Sequence, residues 1–158
     1  MTKWIVVALA LAACGKGDNT KAKSDDKPTI EAFEDYKHKA MATEGKLELS
    51  NLSKLAKTVA IYKSAYPIGK AALTPAIECC KSADHKCAPD SKTWAVEPWT
   101  TLKFTIDEPH SFRYSYESTD GKSFTATAVA DLDCNGTVTT FTATGTLDAS
   151  GHPHSEIK

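Results

Sequence analysis

The sequence predicts an α+β fold in which a long N-terminal helix packs on a four-stranded antiparallel meander sheet. In the first half of the chain, apolar residues recur every three or four positions, which is typical of the buried stripe of a helix. In the second half they alternate with polar residues, which is typical of strands. Four of the five cysteines fall in or after the connecting loop and predict disulfides that staple it. The 158 residues, 41% of them hydrophobic, fit one globular domain.

The first residues of the chain have the composition of a processing signal. Lys3 precedes an apolar run from Trp4 to Ala10, and Leu11-Ala12-Ala13-Cys14 follows. This stretch resembles a bacterial lipobox. The resemblance implies a lipoprotein signal peptide over residues 1–13, cleavage before Cys14, and lipid attached to the Cys14 thiol. A plain secretory signal followed by an unrelated cysteine is the alternative.

Residues 14–28 are predicted to be the lipidated cysteine and a flexible tether, because they contain no large apolar residue to offset the entropy of ordering. Taken together with the residues before the cysteine, the apolar stretch from Trp4 to Ala13 is ten residues long. That is about half of the roughly 20 residues that a membrane-spanning helix needs. We therefore expect a membrane attachment through lipid, in the bacterial cell envelope. Gly15 stands where an aspartate would resemble an inner-membrane retention signal, so we expect the outer membrane rather than the inner one.

One long helix is predicted over residues 29–66, where there is no proline and only one glycine. Thr29 is a suitable N-cap, and Pro67 ends the helix. Gly45 is a weak centre that could bend the helix or divide it in two. The stripe expected to be buried follows steps of three and four residues and consists of Leu52, Leu55, Val59, Tyr62 and Tyr66.

The cysteines after the helix predict two disulfides. Cys79, Cys80, Cys87 and Cys134 are even in number, and the signal sends the chain to an oxidising compartment. A bond between the adjacent Cys79 and Cys80 requires a strained peptide, so two pairings stay open, in which one of them bonds Cys87 and the other Cys134. A metal site made from these cysteines and His85 is the alternative, although two separated CxxC pairs are missing.

Four strands are predicted from residues that alternate in steps of two. Asp107 to His110, Thr119 to Lys122, and Asn135-Gly136 are the turns between them. With the helix, these strands form a domain over residues 29–148, and residues 149–158 are expected to be a polar C-terminal tail. The strand cores are Leu102 to Ile106, Phe112 to Tyr116, Phe124 to Ala128, and Val138 to Thr142.

Several stretches resemble the globular part of type IV pilins and pseudopilins. The resemblance lies in Tyr36 to Ala40, in Phe112 to Tyr116 and, most specifically, in Phe124 to Asp133, and it extends over roughly Glu34 to Thr144. Pilins begin with a short basic leader and a long apolar helix that packs in the fibre core. Because a lipobox takes that place here, the resemblance implies a lipid-anchored pilin-like domain rather than a structural fibre subunit.

The turn after the third predicted strand is a candidate calcium site. Asp131, Asp133 and Asn135, followed by Gly136, match the first half of a calcium-binding loop, in which alternate oxygen-bearing residues face one cation. The twelfth position of such a loop is Thr142 rather than a glutamate, so the match is incomplete. A hairpin turn with solvated aspartates is the alternative. No cofactor is expected to be required, and Ca²⁺ is the one candidate.

Composition and motifs argue against two classes of function. With 19 basic and 20 acidic residues and Arg113 as the only arginine, the chain lacks the basic surface of a nucleic-acid-binding protein. Its histidines do not form a recognisable catalytic set, and no nucleophile motif accompanies them, so we do not expect an enzyme. Trp94 and Trp99 could form a recognition surface, although core packing is the simpler interpretation.

We therefore expect an envelope lipoprotein that acts by binding proteins, in or near a type IV pilus or a type II secretion assembly. A calcium-dependent surface module or adhesin unconnected with pili is the alternative. A diverged pilin that has lost its fibre role is a third. The expected partners are the membrane, through the lipid, and pilus or secretion proteins, with no nucleic acid.

Overall fold

The fold is taken from a computed structural model, which describes residues 30–158. The predicted signal peptide, Cys14 and the tether lie outside the described residues. Helix α1 runs without a break over Ile30–Lys63. The described residues contain no helix with the length and apolar character to cross a membrane.

The sheet has five antiparallel strands in the order β1-β2-β3-β4-β5, so each strand pairs with its neighbour in sequence. A β-bulge or other irregularity between Ala71 and Thr74 interrupts the pairing of β1 with β2. Helix α1 packs on one face of the sheet, against β3, β4 and β5. The strands are β1 Gly69–Thr74, β2 Arg113–Ser118, β3 Ser123–Ala130, β4 Thr139–Leu147 and β5 Pro153–Ile157.

The predicted long N-terminal helix on a four-stranded sheet is wrong in three respects. The helix is not N-terminal, because it begins at Ile30. The sheet has five strands rather than four, and the first predicted strand, Leu102 to Ile106, is not among them. The disulfide-stapled loop lies between β1 and β2, not between the helix and the sheet, because β1 was not predicted.

The residues around Leu102 alternate in burial without pairing in the sheet. Leu102 ends the short helix α2, Trp99–Leu102, and Lys103 has a left-handed backbone with φ 56°. Leu102, Phe104 and Ile106 are buried between exposed neighbours, so an extended segment packed on the core reproduces the pattern of a strand.

Residues 149–158, expected to be a tail, contain strand β5. This edge strand pairs with β4 from Leu147↔Pro153 to Ala143↔Ile157. Strand β5 is held in the sheet by its backbone hydrogen bonds to β4. Because it is an edge strand and mostly exposed, it does not need apolar side chains to keep its place.

The core lies between α1 and the inner face of the sheet. Leu49, Leu52, Ala56 and Ala60 of the helix are fully buried. The stripe expected to be buried is therefore wrong at Tyr62, which is 84% exposed. Trp94 and Trp99 are also buried and meet edge to face at 5.4 Å between ring centroids, which confirms the core-packing interpretation. The largest fully buried side chains from the sheet and its approaches are Tyr66, Phe104, Phe112, Tyr114 and Tyr116.

Gly45 neither breaks nor divides α1. A Cβ at this position would lie 2.7 Å from two ring carbons of Phe112, a side chain that is completely buried. The glycine therefore lets the helix approach the sheet closely, and its low helix propensity is offset by the packing that it permits.

Candidate protein-binding site

Three segments meet at one end of the domain and form what we call the turn surface. They are residues 37–44 of α1, the disulfide loop at residues 78–87, and the turn between β3 and β4 at residues 131–138. Each predicted site residue that the structure describes lies in this region. The turn is central, because the clefts of the surface surround it.

Two disulfides hold the loop to the turn. Cys79 bonds Cys87 and closes the short loop, and Cys80 bonds Cys134 across 54 residues of sequence. The prediction of two disulfides is confirmed, and one of its two open pairings is selected. The alternative prediction, a metal site made from these cysteines, is wrong in this oxidised form. Each of the four sulfurs is bonded to another in a disulfide, so none of them is a thiolate that could bind a metal.

The carboxylate of Asp131 organises the backbone of the turn. It accepts hydrogen bonds from the backbone N–H of Asn135 at 3.1 Å and of Gly136 at 2.8 Å, one on each oxygen. Cys134 and Gly136 have positive φ angles of 57° and 93°. The chain thus reverses direction around one anionic side chain, and Gly136 supplies a conformation that most residues adopt only with strain.

Asp133 and Asn135 complete the turn and reach toward the helix. The amide of Asn135 donates to the Asp133 carboxylate, and its oxygen accepts from the backbone N–H of Thr137 at 2.6 Å. His38 of α1 lies 4.0 Å from Asp133, measured from Nε2 to Oδ2. A protonated His38 would therefore pair with this carboxylate and join α1 to the turn.

The candidate calcium ligands Asp131, Asp133 and Asn135 are thus close together, but their oxygens accept N–H donors of the turn itself. In the part of the chain that the structure describes, no group of three or more His, Cys, Asp or Glu side chains is placed to hold a metal ion. Calcium binding stays a prediction.

A second acidic group fastens the helix to the sheet side of this surface. The Glu44 carboxylate accepts from the backbone N–H of Ser111 at 2.6 Å and from its hydroxyl at 3.2 Å. Ser111 is buried, with an exposed fraction of 7%. Because these bonds are charge-assisted and shielded, they fix the position of α1 beside the loop.

Arg113 and Val138 border the most enclosed cleft of the turn surface, which has a volume of about 140 Å³. The Arg113 guanidinium donates to the carbonyl of Ala76 at 3.3 Å and lies 3.9 Å from the Glu78 carboxylate. Val138, by contrast, is 55% exposed. The cleft therefore combines the positively charged side chain of Arg113, which is fixed by its neighbours, with the exposed apolar side chain of Val138.

The two other clefts of the turn surface are wider and more open. One of about 280 Å³ separates α1 from the turn, and one of about 220 Å³ separates α1 from the disulfide loop. Pockets for small molecules usually enclose about 300–1,000 Å³. All three volumes fall below that range, so the geometry suits the side chains of a protein partner better than an enclosed small ligand.

The remaining histidines do not extend this surface into a catalytic set. His110 is buried, and its Nδ1 lies 3.0 Å from the carbonyl oxygen of Glu108. His152 and His154 lie beside β5 and both face Asp148, at 3.6 Å and 3.2 Å. The backbone N–H of His152, and then the ring of His154, lower the pKa of the Asp148 carboxyl.

Sequence reasoning predicted the cysteines and the polar turn but missed His38, Glu44 and Arg113 as members of the same surface. These contacts join residues far apart in the chain, and the Glu44–Ser111 pair is separated by 67 positions. A local pattern contains no sign of them. In comparisons with known proteins, no family model, curated protein or solved structure matches the chain.

Proposed function

We propose that this chain is a lipid-anchored protein of the bacterial cell envelope whose pilin-like domain acts by binding another protein, in or near a type IV pilus or a type II secretion assembly. The observation that carries the binding role is the turn surface, where a disulfide, a hydrogen-bonded turn and the Glu44–Ser111 contact fix three segments beside an exposed Val138. Such preorganised surfaces lose little conformational entropy when they bind.

The anchor follows from the resemblance of Leu11 to Cys14 to a lipobox. Several acyl chains on Cys14 would hold the chain on the membrane, since each buried methylene contributes about 0.8 kcal/mol. Residues 14–28 could reach about 50 Å when fully extended. The domain could therefore meet a partner that stands away from the lipid surface. Gly15 favours the outer membrane as its location.

Binding is preferred to catalysis because of the chemistry that the turn surface presents. Its cysteines are oxidised and cannot act as nucleophiles in this form. The Asp131 carboxylate holds the backbone of the turn with both of its oxygens, so it is not free to act as a general base. What stays open to a partner is a mixture of apolar and charged side chains at the rims of shallow clefts, as in many protein interfaces.

A calcium-dependent surface module is the second candidate. It is favoured by the observation that Asp131 and Asp133 lie on one turn, where a cation would relieve their mutual repulsion. The two candidates make different predictions. In a calcium-dependent module, both the stability of the protein and its binding to a partner would depend on calcium.

The test is a comparison of two matched variants of the tagged, full-length chain in a bacterium that produces both kinds of assembly. Val138 and Val96 are each 55% exposed, but only Val138 borders the turn surface. After crosslinking in cells and isolation of the membranes, pilus or secretion components should be enriched with the wild type and with Val96→Glu. Their enrichment should fall by about tenfold or more with Val138→Glu, because the buried charge opposes binding.

Two results would overturn the proposal. One is recovery of no pilus or secretion component above the level found with an unrelated outer-membrane lipoprotein. The other is equal enrichment by both variants, which would place binding outside the turn surface. Equal melting temperatures of the two variants control for a loss of fold.

A further inference from the structure

Asn135 differs from the other asparagines of the chain because a glycine follows it. The other two precede Thr20 and Leu52. Asn135 and Gly136 are both exposed to solvent. Apart from the chain neighbours, no atom lies within 4 Å of the position that a Cβ of Gly136 would occupy. The backbone nitrogen that follows the Asn135 side chain is therefore open to solvent, on a side that another residue would cover with its own side chain.

Two hydrogen bonds of the turn act in opposite directions on the Asn135 side chain and this nitrogen. The backbone N–H of Thr137 donates to Oδ1 of Asn135 at 2.6 Å. This bond polarises the side-chain carbonyl and would stabilise negative charge on its oxygen. The backbone N–H of Gly136 donates to Oδ2 of Asp131 at 2.8 Å. That bond opposes loss of the proton, because it favours the protonated nitrogen and places a carboxylate beside the anion that would form.

We propose that Asn135 is a site of spontaneous deamidation and that Asp131 restrains its rate. In the first step, hydroxide removes the proton of the Gly136 N–H. The electron pair of the nitrogen then forms a bond to Cγ of Asn135, and the π pair of the side-chain carbonyl moves onto Oδ1. When that pair returns, the bond from Cγ to Nδ2 breaks, and Nδ2 takes a proton from water and leaves as ammonia. The product is a succinimide ring.

Water then opens the ring in one of two ways. Addition at Cγ breaks the bond from Cγ to the Gly136 nitrogen and leaves an aspartate in a normal backbone. Addition at the backbone carbonyl carbon of position 135 breaks the other bond to that nitrogen, so the chain continues through the side chain as isoaspartate. Either route consumes one water and releases one ammonia, without oxidation or reduction. A neutral amide becomes a carboxylate.

Asn51 shows that exposure of the side chain alone is not sufficient. It is exposed like Asn135, and its amide also donates to a nearby carboxylate. The next residue, Leu52, is completely buried in the middle of α1, where the hydrogen bonds of the helix hold the backbone. Ring closure at Asn51 would require the helix to open. At Asn135 it requires only that the Gly136 N–H be released from Asp131.

The conversion would change the charge of the turn surface. The amide of Asn135 donates to the Asp133 carboxylate, whereas a carboxylate at position 135 has no proton to donate and repels its neighbour. Together with Asp131, the turn would then carry three carboxylates. We expect the converted protein to unfold at a lower temperature. An effect on partner binding rests on the proposed function, whereas the modification itself does not.

The test follows the oxidised full-length chain with time in mildly alkaline buffer, by mass spectrometry of its peptides. The peptide that contains Asn135 should gain the mass difference between an amide NH₂ and a hydroxyl. It should do so at least about tenfold faster than the peptide that contains Asn51, because no helix has to open. Fragmentation distinguishes aspartate from isoaspartate in the product. No gain of mass at position 135, or equal rates at the two asparagines, would overturn the assignment of the site.

Two matched variants test the restraint by Asp131. Asp131→Ala should speed the conversion about tenfold or more, because the charge-assisted bond that holds the Gly136 N–H is lost. Asp84→Ala removes an exposed carboxylate from the disulfide loop and should convert at the wild-type rate. Circular dichroism at the incubation temperature controls for a loss of fold. Conversion of Asp131→Ala at the wild-type rate would overturn the restraint.

A third variant tests the effect of the new charge on the turn. Asn135→Asp should melt about 2 °C or more below the wild type, and at the same temperature as the aspartate form isolated from the converted protein. A melting temperature equal to that of the wild type would overturn the expected loss of stability.

Discussion

Two buried tyrosines on β2 have different hydrogen bonding and should respond differently to the loss of the hydroxyl. Tyr116 donates to the carbonyl of Pro67 at 3.1 Å, whereas the Tyr114 hydroxyl is buried without a hydrogen-bond partner among residues 30–158. Tyr116→Phe should lower the free energy of unfolding by about 1–3 kcal/mol, because it leaves a buried carbonyl unpaired. Tyr114→Phe should leave the free energy of unfolding unchanged or raise it. Urea unfolding at pH 7 measures the free energy of unfolding of both variants.

The same two residues predict a loss of stability at alkaline pH. Burial raises the pKa of Tyr114, with Glu44 and Glu48 adding to the effect, and it raises the pKa of Tyr116 as well. The unfolded chain ionises its tyrosines near pH 10, so it binds fewer protons than the folded chain above that pH. This contribution to stability should be complete below about pH 10 and fall as the pH rises further. Tyr114→Phe should reduce the fall, and an unchanged pH profile would contradict the interpretation.

Asp131 should stabilise the turn between β3 and β4 whether or not calcium binds. Asp131→Ala removes the acceptor for the N–H groups of Asn135 and Gly136, and should cost about 1–2 kcal/mol. Asp84→Ala, at an exposed position in the disulfide loop, is the control and should cost much less. Thermal unfolding in a calcium chelator measures this difference.

Addition of calcium to the same samples tests the second candidate function. Any rise in melting temperature that calcium causes in the wild type should disappear when Asp131→Ala and Asp133→Ala are combined. A rise that survives in the double variant would exclude this turn as the site.

At the scale of the elements, the close approach of α1 to the sheet depends on Gly45. Alanine there would gain up to about 1 kcal/mol of helix propensity. It would also place its Cβ at 2.7 Å from Phe112, whose ring is enclosed by the core. We predict that the clash prevails and that Gly45→Ala destabilises the protein by about 1–3 kcal/mol. Asn51→Ala, at an exposed position of the same helix, should be nearly neutral, and equal stability of the two variants would contradict this packing.

The elements that local patterns predicted are those with strong periodicity. The helix, β2, β3 and the start of β4 were predicted because their apolar residues follow the period of the element. Strands β1 and β5 were missed, since an edge strand is held by backbone pairing and needs few apolar side chains. The strand predicted at Leu102 to Ile106 does not exist, although its residues alternate between buried and exposed. An extended segment that packs on the core can show this alternation without pairing with another strand.

The candidate site was predicted only in the parts that are close in sequence. The spacing of Asp131, Asp133 and Asn135 indicated a polar turn, and the cysteine count indicated two disulfides. The sequence left the pairing of Cys80 with Cys134 open, because elimination of the vicinal bond still allowed two arrangements. The contacts of His38 and Glu44 depend on how α1 packs on the sheet, which no local pattern determines.

For the molecule as a whole, the Cys80–Cys134 disulfide closes the longer of the two loops. It joins residues 54 positions apart, for which the chain-entropy model gives about 4 kcal/mol. The double change Cys80→Ser with Cys134→Ser should lower stability by roughly 2–4 kcal/mol in oxidising buffer. In a reductant that opens both disulfides, variant and wild type should unfold at nearly the same denaturant concentration. An equal difference in both buffers would mean that the sulfur atoms stabilise the fold in some other way.

We propose that lipid on Cys14 displays this domain from a membrane, and two disulfides hold its loop. The most direct test is the intact mass of the protein extracted from bacterial membranes, measured before and after reduction. We predict a chain that begins at acylated Cys14 and that gains two hydrogens for each of its two disulfides on reduction. An unmodified chain that begins at Met1, with free thiols, would contradict both the anchor and the oxidising location.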